Sequence, residues 1–218
     1  MTIRHSLLVA SAALAGTLLT ATAVSATGQA AAASTVLTYG SAGGSSVAVG
    51  DVLSAASSSV AIRTTSGGST GITCDASSFS ASVATNPAAP GTATESLSAF
   101  SIGGSCSTNI VGTTSVKSIT AGGLPYATSV TSSGTVTVQG PLTTTVVLGS
   151  LLGNVTCGYT ADSLTGTASN TDSSIAFSNQ EFTKSSGSSL CPGSGYFTAT
   201  YGPVKDTTAA GSPSVFTN

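Results

Sequence analysis

The sequence has no tryptophan, a single histidine and charged residues at only 6% of its 218 positions. Each shortage excludes a class of function. Five Lys and Arg against seven Asp and Glu offer no basic cluster to neutralise phosphates, so no nucleic-acid partner is expected. Disorder is excluded by the same numbers, because disordered chains combine low hydrophobicity with high net charge, and here hydrophobic residues reach 40% at a net charge of −2. Without tryptophan, the best aromatic platform for a sugar is missing.

The one histidine, His5, lies in an N-terminal stretch that reads as an export signal. Arg4 precedes an apolar run from Leu7 to Leu19, about as long as a signal-peptide core and too short for a membrane span. Val24 with Ala26, or Ala31 with Ala33, supplies small residues at the −3 and −1 positions of a cleavage site. The second pair divides the chain into a removed segment, 1–33, and one domain, 34–218. No cysteine stands near the cleavage region to take a lipid, and no later run approaches twenty apolar residues. The expectation is a secreted, extracellular protein without a membrane anchor after processing.

Removal of 1–33 leaves no imidazole, which excludes a Ser-His-Asp triad, a Cys-His pair and a histidine-based zinc site. No catalytic residue, cofactor or metal is therefore expected. It also leaves no side chain of a type that titrates between pH 5 and 8, so stability is expected to be flat there. A steep change would mark a buried carboxylate, Glu95 or Glu181 first.

Cys74, Cys106, Cys157 and Cys191 form an even set in a chain bound for an oxidising compartment and read as two disulfides. Of three connectivities, the near-equal spacings of 32 and 34 residues favour Cys74 to Cys106 and Cys157 to Cys191. Ile72-Thr73-Cys74 is echoed by Val155-Thr156-Cys157, so two similar loops are the simplest account, and two related halves meeting near Gly122 to Pro125 stand as the alternative to one continuous core.

Period-two alternation recurs at Val47 and Val49, Val60 and Ile62, Phe79 to Val83, Val136 and Val138, Val155 to Tyr159, Ile175 and Phe177, and Phe197 to Tyr201. Gly, Ser, Asn and Pro clusters separate these stretches. The pattern predicts an all-β fold, an antiparallel sandwich of about ten or more short strands around one core. Single helical turns are conceivable only at Asp51 to Ala56 and Leu148 to Leu152.

Glu95 and Glu181 precede the second cysteine of their loops by 11 and 10 residues. Paired carboxylates serve glycoside hydrolysis, but repeated hairpins placing a polar residue on the same exposed position is the weightier reading. Lys117, Lys184 and Lys205 lack the Ser-x-x-Lys signature and read as solvated. Asn170 and Asp172 read as a hairpin turn rather than a calcium site. Asn154-Val155-Thr156 fits the glycosylation pattern by chance. Tyr126, Tyr159, Tyr196 and Tyr201 are weak candidates for a binding surface beside their ordinary packing role.

The run Asn86-Pro87-Ala88-Ala89-Pro90-Gly91-Thr92-Ala93-Thr94-Glu95-Ser96-Leu97 lies inside the first loop. A second runs from Leu164-Thr165-Gly166-Thr167-Ala168-Ser169-Asn170 through Asn179-Gln180-Glu181-Phe182-Thr183-Lys184 to Cys191-Pro192 and Tyr201-Gly202-Pro203-Val204. Together they resemble small secreted proteins of streptomycetes and related actinobacteria, often labelled Tat-signal-sequence domain proteins. The resemblance implies export but no activity and no catalytic residues. Arg4-His5 departs from that label, since a twin arginine is absent and ordinary Sec export fits better.

Three functions follow in order of expectation. First is an exported non-catalytic β-sandwich acting by surface contact on an envelope, polysaccharide or protein partner. Second is a carrier or inhibitor that binds a small or peptidic ligand, which a cavity lined by Tyr and Phe would favour. Third is a glycosidase-like enzyme using Glu95 and Glu181.

Overall fold

Thr, Val and Ile are stiff at the first side-chain torsion and suit a pleated surface, and alternation with Ser, Thr and Gly gives each strand one apolar face. The computed structural model describes residues 33–218, so the expected leader lies, apart from Ala33, outside the described residues. The chain there forms strands and no helix. The short strands are β1 (Leu37–Tyr39), β2 (Ser45–Ser46), β3 (Val52–Ser57), β4 (Val60–Arg63), β8 (Tyr126–Thr131), β13 (Lys205–Asp206) and β14 (Val215–Thr217). The longer ones are β5 (Gly71–Thr85), β6 (Thr92–Thr108), β7 (Thr113–Gly122), β9 (Thr135–Ser150), β10 (Gly153–Ser169), β11 (Ser174–Gly187) and β12 (Ser194–Tyr201).

All pairings are antiparallel, and eleven strands form the main sheet. Its path closes on itself. β3 and β4 pair with successive parts of β5 and act as one interrupted strand, as β7 and β8 do along β9. β5 pairs β6, β6 pairs β8, β9 pairs β10, β10 pairs β11, β11 pairs β12, and β12 returns to β4. The result is an up-and-down wall of eight strand positions. Inward aromatics of β5 and β6 meet those of β11 and β12 across the middle in sandwich-like packing, with Phe79 and Tyr201 at 5.5 Å and Phe100 and Phe197 at 6.5 Å between ring centroids. Eight positions enclose an interior that side chains either fill or share with one small ligand.

Along β9 the inward positions are Val136, Val138, Leu142, Val146 and Leu148, all buried, while Thr135, Thr143 and Thr145 face outward and are exposed. This apolar-in, polar-out order is the inverse of a membrane barrel. Among the described residues no helix is long and apolar enough to cross a membrane.

Both disulfides have the expected partners, Cys74 to Cys106 and Cys157 to Cys191. The first joins directly opposed residues of β5 and β6, and the second ties β10 to the β11–β12 loop. By register, both lie at one end of the wall. The opposite end is covered by a three-stranded sheet of β14, β1 and β2. Asn86 anchors it, its side-chain oxygen accepting from Leu37 N at 2.9 Å and its amide donating to Leu37 O and Val47 O at 2.8 Å each. Asn170 holds β14, accepting from Thr217 N and donating to Thr217 O.

Three local expectations differ. Asp51 to Ala56 runs largely into β3 and Leu148 to Leu152 ends β9 in a tight turn, because pairing of the β-branched runs outweighs any helical turn. Val47 and Val49 follow β2 outside any strand, Val47 buried and Val49 67% exposed. Gly122 to Pro125 joins β7 to β8, inside one interrupted strand position.

Candidate functional site: an interior channel

The inward side chains leave a cavity of about 130 Å³. Phe79, Phe100, Phe177, Phe182 and Phe197 line it together with Tyr126, Tyr159 and Tyr201. Its wall follows β9 from Val136 to Leu148, so the space is elongated along the strands. Arg63, Ile110 and Pro192 stand at the disulfide end, and Glu95 with Val136 stands toward the covered end.

The three lining tyrosines keep their hydroxyls bonded to the chain. Tyr126 donates to Gly122 O and accepts from Thr143 N at 3.1 Å. Tyr159 donates to Pro192 O at 3.1 Å, and burial pushes its hydroxyl pKa up. Tyr201 lies 2.7 Å from Ser77 Oγ, which itself donates to Ser101 O, so Tyr201 is the donor of that pair. Burial pushes Tyr201 up to about 12 against the opposing pull of this bond. These tyrosines therefore give the channel aromatic surface and no free polar groups.

Glu95 is different. Ala93 and Leu97, two residues to either side of it on β6, are buried, so alternation turns the Glu95 side chain inward. It is part-buried and lines both the main cavity and a smaller one of about 30 Å³ beneath the covering sheet. Burial pushes its carboxyl pKa from 4.5 to about 7, with no cation or hydrogen bond among the described residues to offset the lost hydration. Directly opposite on β8 stands Thr128, 7% exposed, whose Oγ1 also has no partner. Two polar groups thus meet unsatisfied in an apolar channel.

Glu181 occupies the corresponding place in the second hairpin but faces outward. It is exposed, and its Oε1 accepts from Ser194 Oγ at 2.9 Å and Tyr196 Oη at 3.0 Å. The bond to Glu181 raises the Tyr196 pKa. The reason for the difference is a bulge between Phe177 and Gln180, with Asn179 in the left-handed region at φ 48°. Phe177 and Phe182 both line the channel although they stand five positions apart, an odd offset that plain alternation would put on opposite faces, so the strand has slipped one position and Glu181 has turned out. The two carboxylates therefore share no site. The expectation of exposed hairpin positions holds for Glu181 and fails for Glu95.

The remaining candidates serve the wall. Lys184 Nζ donates to Ser188 O and Cys191 O at 3.4 Å each and braces the loop of the second disulfide. Lys117, Lys205 and Asn154 are exposed. Asp172 accepts from Ser174 Oγ at 2.8 Å, a bond that lowers its pKa, with Ser169 contributing after it. Among the described residues no group of three or more His, Cys, Asp or Glu is placed to hold a metal. Sequence reasoning named neither Thr128 nor Arg63 for the site, and it assigned no particular phenylalanine to a cavity lining. The signals were present, in a glutamate on the apolar phase of Ala93-Thr94-Glu95-Ser96-Leu97 and a threonine on that of Tyr126-Ala127-Thr128-Ser129-Val130.

No family model matches the chain, and no curated protein or solved structure is significantly similar to it.

Proposed function

We propose that the protein is a non-enzymatic carrier that holds one small, elongated and mostly apolar ligand in its interior channel. The observation that carries this reading is the cavity itself, about 130 Å³ and walled by five phenylalanines and three tyrosines. One water-sized group needs about 10–15 Å³ on this measure, so the space suits a ligand on the order of ten non-hydrogen atoms. Ligand sites of this kind are concave, apolar and provided with few polar groups, which Glu95 and Thr128 supply here. Export through the 1–33 segment is part of the proposal, supported by the two disulfides. Native mass spectrometry of protein recovered from culture medium tests it. A single bound compound of low polarity is expected, released on denaturation. Recovery from cytosol alone, or turnover of a substrate by the pure protein, would overturn it.

Surface contact remains a second reading with its own observation. Val111, Leu151, Leu152 and Leu190 are 93%, 92%, 94% and 53% exposed, and all lie on loops at the disulfide end. Thr113 pairs Ser150, which sets the loop of Val111 beside that of Leu151 and Leu152. An apolar rim of this kind marks a contact surface.

A further inference from the structure

The channel carries two unsatisfied polar groups at one level of an otherwise apolar wall, and their chemistry restricts what the channel accepts. Glu95 and Thr128 are opposed residues of an antiparallel pair, and such side chains have Cβ atoms about 5 Å apart on one face. Thr128 is nine-tenths buried and its Oγ1 lacks a partner. Other polar side chains of the wall have partners in the chain: the three tyrosine hydroxyls are bonded, Thr64 Oγ1 donates to Thr70 O, Thr144 Oγ1 to Thr120 O, Ser194 Oγ to Glu181 and Arg63 Nη1 to Ile72 O at 3.3 Å, while Thr143 is exposed.

Arg63 opposes Gly71 on β5, whereas Glu95 opposes Val83, twelve positions along the same strand. At about 3.3 Å per residue that separation is on the order of 40 Å, too far for one to neutralise the other. The polar pair near the covered end is therefore acidic and uncompensated.

Resting on the carrier reading, we infer that Glu95 and Thr128 form the anchor for a ligand with an aliphatic body and a single terminal amine. An ammonium group brings up to three donors, enough for the carboxylate and for the threonine oxygen together, and it supplies the positive charge the site lacks. A carboxylate-ended ligand would set two negative charges together in a low-dielectric space and is excluded. An alcohol would satisfy hydrogen bonding and leave the charge unpaired.

The length of the body follows from the space. With on the order of ten non-hydrogen atoms to accommodate, an eight-carbon chain with one polar end is a fitting probe. Calorimetric titration of the purified protein at pH 7.5 with octylamine, 1-octanol and octanoate tests the inference. Octylamine is expected to bind at least tenfold tighter than 1-octanol, with octanoate weakest. Glu95→Gln is expected to remove the preference for the amine while keeping 1-octanol binding, and Thr128→Val to reduce it by a few-fold.

Each variant is checked for its thermal transition, and Thr128→Val provides a second reading of the anchor. Equal binding of amine and alcohol, tighter binding of octanoate, or an amine preference that survives in Glu95→Gln would overturn the anchor and leave the carrier reading standing. Binding of none of the three would overturn both.

Discussion

Glu95 is the residue at which the physics is least balanced. Its carboxyl is ionised in the unfolded chain above about 4.5 and in the folded protein only above about 7. Between those values the unfolded state binds fewer protons, so stability falls as pH rises. The protonated acid's contribution is fully present below about 4.5 and is lost as pH passes through about 7. The other titratable groups facing the channel, Arg63, Tyr126, Tyr159 and Tyr201, are of types that titrate far above this window. The shift corresponds to about 3 kcal/mol, or a fall in Tm of roughly 6–12 °C for a domain of this size. Where the missing histidine alone leads to a flat profile, the burial of Glu95 predicts a sloping one. Melting curves from pH 4.5 to 8 check this, and Glu95→Gln should flatten them. A wild-type profile that moves by only a degree would show that the carboxyl is solvated.

Tyr201 offers a second test at the same scale, because its bond to Ser77 is asymmetric. Tyr201→Phe removes a donor and leaves Ser77 still bonded to Ser101 O, at a cost of about 1 kcal/mol. Ser77→Ala strands a buried phenol and should cost more, up to about 3 kcal/mol. Chemical denaturation of both variants decides the order, and the reverse order would contradict the donor assignment.

At the scale of strands, the alternations of Val60, Phe79 to Val83, Val136, Ile175 and Phe197 were legible because one buried face imposes a period of two. The disulfide pairing was legible from spacing. Each bridge closes the foot of a long hairpin, β5–β6 or β10–β11, and so cysteines and strands share one period. What the sequence concealed were the bulges. A bulge leaves composition and spacing nearly unchanged but reverses every side chain beyond it, which is why Glu95 and Glu181 looked equivalent and are not. The chain-entropy model gives about 3–4 kcal/mol for each loop. Replacing Cys157 and Cys191 together by Ser should therefore lower Tm by roughly 7–15 °C, as should replacing Cys74 and Cys106. An unchanged Tm for either pair would show that its hairpin is held by strand pairing alone.

For the whole molecule, closure of the sheet was beyond the reach of pattern reading, since the pairings of β12 with β4 and of β6 with β8 join distant segments. Closure is what turns a set of apolar strand faces into an enclosed space. The apolar rim at the disulfide end is independent of that interior. Leu151→Ser with Leu152→Ser should leave Tm within about 2 °C, because substitutions at such exposed positions are near neutral. The same variant should elute earlier from a phenyl column, and unaltered retention would show that the rim is not a sticky surface.

Whether the interior takes a ligand is decided by equilibrium titration with 1-octanol, with wild type compared with Ala121→Leu, which places three extra carbons in the lining. Saturable one-to-one binding to wild type with a rise in Tm is expected, and loss of that binding in a folded Ala121→Leu protein. Binding that never saturates, or that is equal in the two proteins, would contradict it.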